Sequence, residues 1–138
     1  MTTDNSILTT LFKAISTTEV LSVIDGAVFK GEKPLNQTSQ DIVINMLDNR
    51  SVANDNLKSG VVNINCFCKE LSNHTRNSTK LDEITQAVFL ALNIVNGSGN
   101  INNLIYEFVS QKTFKDIDDP VMFYSNIRLN FNIKTNET

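Results

Sequence analysis

Two short stretches decide the fold of this chain: residues 28–34 read Val28-Phe29-Lys30-Gly31-Glu32-Lys33-Pro34, and residues 41–45 read Asp41-Ile42-Val43-Ile44-Asn45. A short apolar segment runs into a turn marked by glycine and proline, and a second apolar segment follows a polar stretch. This pattern is typical of two strands joined by a loop. We therefore predict a strand at 27–30, a loop at 31–40 and a strand at 41–47. The unit carries no catalytic group, which favours an assembly part.

The remaining elements follow from hydrophobic spacing. Apolar residues at helical intervals predict a helix at 5–16 capped by Asp4 or Asn5, and a second one that starts after a capping box at Ser16 and ends near residue 24. The main helix starts at Asn77 or Ser78, runs to about residue 95 and is stopped by the glycines at 96–100. Further strands are predicted at 61–68, 104–114 and 122–134, the last with the clearest alternation.

These elements define the fold class. Two helices, three strands, a helix and two strands predict an α+β domain with a largely antiparallel sheet of about five strands and helices packed on one face. At 138 residues the chain is expected to form one domain, 1–138, with 135–138 as a flexible tail. The predicted core consists of Leu8, Leu11, Phe12, Ile15, Ile42, Ile44, Val62, Ile64, Leu81, Ile84, Val88, Leu92, Ile127, Leu129 and Phe131.

Surface segments outside this core supply the candidate contacts. Residues 48–60 read as a loop of unusual length, and such loops are commonly functional or mobile. The loop at 31–40, an acidic turn at 116–120 and the polar face of the last strand offer further surface. The candidate contact residues are Asn49, Arg50, Asn54, Asp55, Lys58, Lys33, Pro34, Asp116, Asp118, Asp119, Tyr124 and Arg128.

Composition excludes several classes of function. The net charge is −3 and the basic residues are scattered, so tight nucleic-acid binding through clustered phosphate contacts is not expected. No apolar run approaches the roughly 20 residues of a membrane span. The first residues lack the basic and apolar segments of a secretion signal, so we expect no export and no membrane association.

The residues that carry chemistry are few. The single histidine, His74, lies in a polar stretch between Ser72 and Ser78 that matches no catalytic motif. Cys66 and Cys68 are predicted to be reduced thiols on one face of a strand, because a zinc site needs two further ligands. The carboxylates at 116–119 lack the pattern of a calcium loop, and Gly97 follows a helix where phosphate sites precede one. The sequence predicts no enzyme, no cofactor and no metal.

Three parts of the chain carry a resemblance to a known family. They are residues 28–45, the helical segment Leu81-Asp82-Glu83-Ile84, and the ending in which Asp116-Ile117-Asp118-Asp119-Pro120 leads into an alternating strand. Together they resemble the tail-completion, or head–tail connector, proteins of crAss-like and related tailed bacteriophages.

The resemblance implies a structural virion protein without enzymatic activity, made in the cytoplasm of a bacterial host. Such proteins form closed rings, six- or twelve-fold, between the portal vertex and the tail. The implied partners are other copies of the chain, portal-proximal or tail ring proteins, and DNA that passes through the lumen without specific binding.

An alternative of a different class stays open. The same features fit a small cytosolic binding or regulatory module, for example an inhibitor that engages another protein through the segment at 48–60. The native mass of the purified protein distinguishes a ring from such a module.

Overall fold

The computed structural model describes residues 3–51 and 57–134, and these form an α+β fold, as predicted from the sequence. Two helices precede three strands, a third helix follows, and three more strands complete the described part. The elements are α1 (Asp4–Ile15), α2 (Thr18–Ser22), β1 (Val28–Lys30), β2 (Ile42–Ser51), β3 (Leu57–Lys69), α3 (Ser78–Ala91), β4 (Ser98–Ile101), β5 (Leu104–Lys115) and β6 (Met122–Lys134).

The described strands form one sheet of six strands in the order β1-β2-β3-β6-β5-β4. Only β1 and β2 are parallel, and every other pair of neighbours is antiparallel. The largely antiparallel sheet is thus confirmed, with six strands where about five were expected. The additional strand is β4, which begins directly after Gly97 and forms a hairpin with β5. The sequence pattern predicts only a helix stop at these glycines, but Gly97, with a φ of +83°, also serves the turn into β4.

The prediction of a long loop at 48–60 was wrong. β2 continues to Ser51 and β3 starts at Leu57, and the two strands pair with each other up to Ser51 and Lys58. On its other side, the start of β3 pairs with the end of β6, where Leu57 lies opposite Lys134. These backbone hydrogen bonds outweigh the low strand propensity of the asparagine-rich segment. Residues 52–56 and the predicted tail at 135–138 lie outside the described residues.

The helices begin and end close to the predicted positions. Thr3 caps α1 through a capping box with Ser6, where Asp4 or Asn5 was expected, and Thr17 caps α2 in place of Ser16. Of the two predicted caps of α3, Asn77 and Ser78, Asn77 is the cap, and its Oδ1 accepts the Lys80 N–H at 3.1 Å. However, α3 ends at Ala91 and not near residue 95, because Asn93 adopts a left-handed φ of +51° that stops the helix.

The three helices cover one face of the sheet, which we call the inner face, and the main core lies between these two layers. Fourteen of the fifteen predicted core residues are buried, and the remaining one, Phe12, is half-buried and packs against the cluster. Cys66 and Cys68 both point to the inner face as free, buried thiols, as predicted.

The opposite, outer face of the sheet carries a smaller apolar cluster. Val43 of β2, Phe67 of β3 and Met122 of β6 are buried there, with Phe29 and Tyr124 packed against them. This cluster explains why β2 is apolar on both faces. It also forms the floor of the surface described next.

Candidate interaction surface

Two of the predicted contact segments meet on the outer face of the sheet. The loop after β1 and the acidic turn after β5 enclose a cleft with a volume of about 320 Å³. Val43, Asn45, Asn65 and Phe67 form the floor of this acidic cleft. Five of the predicted contact residues line it: Lys33, Pro34, Asp116, Asp118 and Asp119.

A buried carboxylate positions the first wall of the acidic cleft. Asp41 is fully buried and accepts the Ala27 N–H at 2.9 Å, the Ser39 hydroxyl at 2.8 Å and the Gln37 amide at 3.2 Å. Its own carbonyl accepts the Phe67 N–H at 2.8 Å. Asp41 thus fixes the loop between β1 and β2 to the neighbouring strands.

Lys33, on the same side of the cleft, lies over the aromatic ring of Phe67. Its ammonium group lies 4.0 Å from the centroid of the Phe67 ring, within the range of a cation–π contact. The same group donates to the Gln37 carbonyl at 3.1 Å. One of the two predicted contact residues of the loop is therefore held in a defined position at the cleft.

The acidic turn forms the second wall and is held by hydrogen bonds within the turn, one to a side chain and one between backbone groups. Asp116 Oδ1 accepts the Asp118 N–H at 3.1 Å, and the Asp119 carbonyl accepts the Met122 N–H at 2.9 Å. At the tip of this turn Ile117 is 96% exposed, and Leu35 at the tip of the opposite loop is 92% exposed. Each edge of the acidic cleft therefore exposes a large apolar side chain to solvent, as contact surfaces typically do.

An aromatic row connects the acidic cleft to a second hollow on the outer face. Phe67, Tyr124 and Phe114 lie opposite one another on β3, β6 and β5, and their ring centroids are 5.2 and 5.6 Å apart. The second hollow, of about 290 Å³, lies beside Tyr124 and includes Arg128, whose Nε donates to Asn63 Oδ1 at 3.2 Å. Tyr124 and Arg128, both predicted contacts, therefore belong to one surface with the acidic cleft.

The remaining predicted contacts lie elsewhere. Asn49 and Arg50 are part of β2 and Lys58 is part of β3, at the far end of their hairpin. Asn54 and Asp55 lie outside the described residues. A role of the hairpin end in assembly stays a prediction.

Reactive groups in the described part of the chain are dispersed or buried. No group of three or more His, Cys, Asp or Glu side chains is placed to hold a metal ion among residues 3–51 and 57–134. Burial raises the pKa of the Cys66 thiol to about 12 and also raises the pKa of Cys68, so both are poor nucleophiles at neutral pH. His74 is exposed in its loop, with Nδ1 2.8 Å from Glu70 Oε1. No helix in the described ranges is long and apolar enough to cross a membrane.

A small hollow of about 120 Å³ between α3 and the sheet is lined mainly by polar side chains. The buried hydroxyl groups there are already hydrogen-bonded within the protein. The Thr85 and Ser125 hydroxyl oxygens lie 2.7 Å apart, and Thr85 donates to the Leu81 carbonyl at 2.7 Å. Gln111 donates to Ser125 at 2.8 Å and completes this chain of hydrogen bonds. The network ties β5 and β6 to α3 and has a structural role.

Sequence reasoning missed several residues of the outer surface. Phe67 and Phe114 could be joined to Tyr124 only once the strand order and register were known, because they come from three different strands. Leu35 and Ile117 gave a weak signal as single apolar residues inside polar turns. The apolar residues of α3 form a broad stripe that includes Leu90, and their spacing alone does not show that Leu90 is 81% exposed.

Most of the fold is similar to that of a chain in a solved structure titled as the virion of a native gene transfer agent particle. The TM-score is 0.64 at 12% sequence identity, and the similarity covers 90% of this chain and 91% of that chain. At this identity the similarity concerns the fold. No protein-family model and no curated protein matches the sequence.

Proposed function

We propose that this protein is a structural component of a virion and forms one ring layer at the head–tail junction or in the tail of a tailed phage. The observation that carries the proposal is the similarity of nearly the whole chain to a chain from a gene transfer agent virion, with both chains covered at about nine-tenths. A single shared feature, such as one common hairpin, does not explain similarity over 90% of this chain and 91% of that chain. The resemblance of the sequence to tail-completion proteins supports the same function independently.

The outer surface supports this function. A subunit of a closed ring contacts its two neighbours through two different surfaces and still needs a face for the adjacent layer. The acidic cleft, with its exposed Leu35 and Ile117, suits contact with a neighbouring portal or tail protein. No enzymatic step is part of the proposal.

The charge of the chain fits passage of DNA through the ring. A net charge of −3 with scattered lysines and arginines gives a lumen that does not hold phosphates tightly. DNA would then move through the ring without being retained by counterion release. The proposed localisation is the virion, after synthesis in the host cytoplasm.

The test is the position of the protein in purified particles. We expect cryo-electron microscopy of particles carrying a tagged copy to place this chain in a ring on the portal–tail axis. Particles that lack the protein altogether, with the tagged chain found only in the soluble fraction of the host, would contradict the proposal. That result would favour the alternative, a small protein-binding or inhibitor module.

A further inference from the structure

The outward side of the helical layer carries an acidic and apolar patch. Leu90 projects from α3 between two hollows of about 350 and 540 Å³. The larger hollow lies between α2 and α3, where Val23 and Ala87 form apolar walls and Glu19 and Glu83 add negative charge. No lysine or arginine of the described residues lines either hollow. We call Glu19, Glu83, Gln86 and Leu90 the helix-face patch.

The outer face of the sheet carries a patch of opposite character. Lys112 and Arg128 line the hollow of about 290 Å³ together with Phe114 and Tyr124, and none of its described lining residues is an aspartate or glutamate. Phe114 is 43% exposed. Among the residues whose side chains the structure describes, none has a carboxylate oxygen within 4.0 Å of Lys112 or Arg128. We call Lys112, Phe114, Tyr124 and Arg128 the sheet-face patch.

The two patches point in opposite directions. α3 packs its buried side, including Ile84 and Val88, on the inner face of the sheet, so Leu90 points away from the sheet. The sheet-face patch lies on the other side of the same sheet. A twofold contact between these patches would require both of them to face the same neighbour. In a head-to-tail contact each patch meets a different neighbour, which is the arrangement that two opposite directions favour.

We propose that the helix-face patch of one copy docks on the sheet-face patch of a second copy of this chain, and this contact rests on the proposed ring. Leu90 packs against Phe114, and Glu83 lies beside Arg128 and Lys112. Charge complementarity selects this occupant, because, among the described residues, no cation lines the hollows of the first patch, whose Glu83 is paired with Lys80 of its own helix, and no carboxylate lines the hollow of the second.

The spacing of the two patches is compatible with this arrangement. Glu83 and Leu90 are seven residues apart, or about 10 Å along a helix. Arg128 lies opposite Ser110, so Phe114 is four residues further along the sheet, about 13 Å away, and Lys112 lies between them. A helix that runs along the strands therefore places Glu83 near the cations when Leu90 contacts Phe114. Glu83 already forms a salt bridge with Lys80 of the same helix, with 2.7 Å between the ammonium nitrogen and the carboxylate oxygen. Salt bridges at the protein surface contribute little to stability, so docking can replace this one.

The contact is tested by mixing two variants whose defects lie in different patches. Leu90→Asp has a damaged helix-face patch and an intact sheet-face patch, and Phe114→Asp has the reverse. We expect the wild-type protein to form oligomers in analytical ultracentrifugation and each variant alone to be a monomer. An equimolar mixture should give a 1:1 heterodimer and nothing larger, because only one productive contact is left.

Controls make the result specific. Leu71→Asp replaces an exposed apolar residue outside both patches and should leave the oligomer unchanged, while circular dichroism should confirm that every variant is folded. Arg128→Glu should weaken association at least tenfold, and addition of Glu83→Arg in the same chain should restore it. A wild-type protein that stays monomeric, or a mixture that gives no heterodimer, overturns this contact. Its failure is distinct from that of the proposed function, which the location of the chain in particles tests.

Discussion

The buried carboxylate of Asp41 accepts a hydrogen bond from the backbone N–H of Ala27, fourteen residues earlier in the chain, at 2.9 Å. This bond joins the chain before β1 to the start of β2 and supports the only parallel pair of strands in the described sheet. Gly26 lies so close that an added Cβ would be 2.6 Å from the Gln40 carbonyl oxygen and would also collide with Asp41 itself. One side chain thus determines both the entry to the sheet and the loop that forms a wall of the acidic cleft.

Replacing Asp41 by Ala should destabilise the protein by about 2–4 kcal/mol, because the Ala27 N–H and the Gln37 and Ser39 side chains lose a charged acceptor. Chemical denaturation followed by circular dichroism measures the loss. Asp82→Ala, which removes an exposed carboxylate from α3, should change stability by less than about 0.5 kcal/mol. Equal midpoints for the Asp41 variant and the wild type would show that this hydrogen-bond cluster does not stabilise the fold.

Truncation of Phe131 to Ala should cost about 3–5 kcal/mol of the free energy of unfolding. Phe131 is almost fully buried among the inner-face residues of β6, opposite Tyr106 of β5. The adjacent residue Asn132 is exposed, and its replacement by Ala offers a matched control on the same strand. A denaturation midpoint for Phe131→Ala that equals the Asn132→Ala midpoint would remove Phe131 from the core.

Stability should fall in alkaline solution partly because of Cys66. Its pKa is about 9 when the thiol is exposed and about 12 in the folded protein, where burial disfavours the thiolate. Between these values the native state keeps a proton that the unfolded state has lost, so the free energy of unfolding falls as the pH rises. This group contributes up to about 1.4 kcal/mol per pH unit. Denaturation at pH 8 and pH 10.5 should show a steeper loss for the wild type than for Cys66→Ala, and parallel losses would contradict the prediction.

The fold was predictable where one face of an element is apolar and the other polar. The alternation of β6 predicted its bounds, Met122 and Lys134, and its inner-face residues Ile127 and Leu129, because burial of one face fixes the side-chain period. The ends of β2 and β3 were not predictable in this way. There the end of β2 pairs with the start of β3, which in turn pairs with β6, a strand far away in sequence, and the residues of these ends show no apolar alternation.

The candidate surface was predictable only as separate segments. The sequence identified Lys33, Pro34 and the carboxylates of the acidic turn as surface residues, but nothing in their spacing brings positions more than eighty residues apart into one cleft. That meeting follows from the strand order, which places β6 beside β3 and brings the turn between β5 and β6 near the loop between β1 and β2. Helical periodicity does not distinguish the buried positions of an apolar stripe from its exposed margin, so it does not predict that Leu90 is exposed.

Replacing Asp116, Asp118 and Asp119 together by Asn should weaken assembly and barely change the stability of the subunit. These carboxylates line one cleft beside Ile117, and if they pair with lysine or arginine of a neighbouring protein, the loss should be largest at low salt. Asn keeps a side-chain oxygen at 116, where Asp116 accepts the Asp118 N–H, so the turn itself is retained. Asp82→Asn combined with Glu107→Gln removes negative charge elsewhere and serves as the control. Assembly is measured as incorporation of the variant into particles at two salt concentrations. Particles that incorporate the triple variant and retain their genome as the wild type does would rule out this role for the acidic turn.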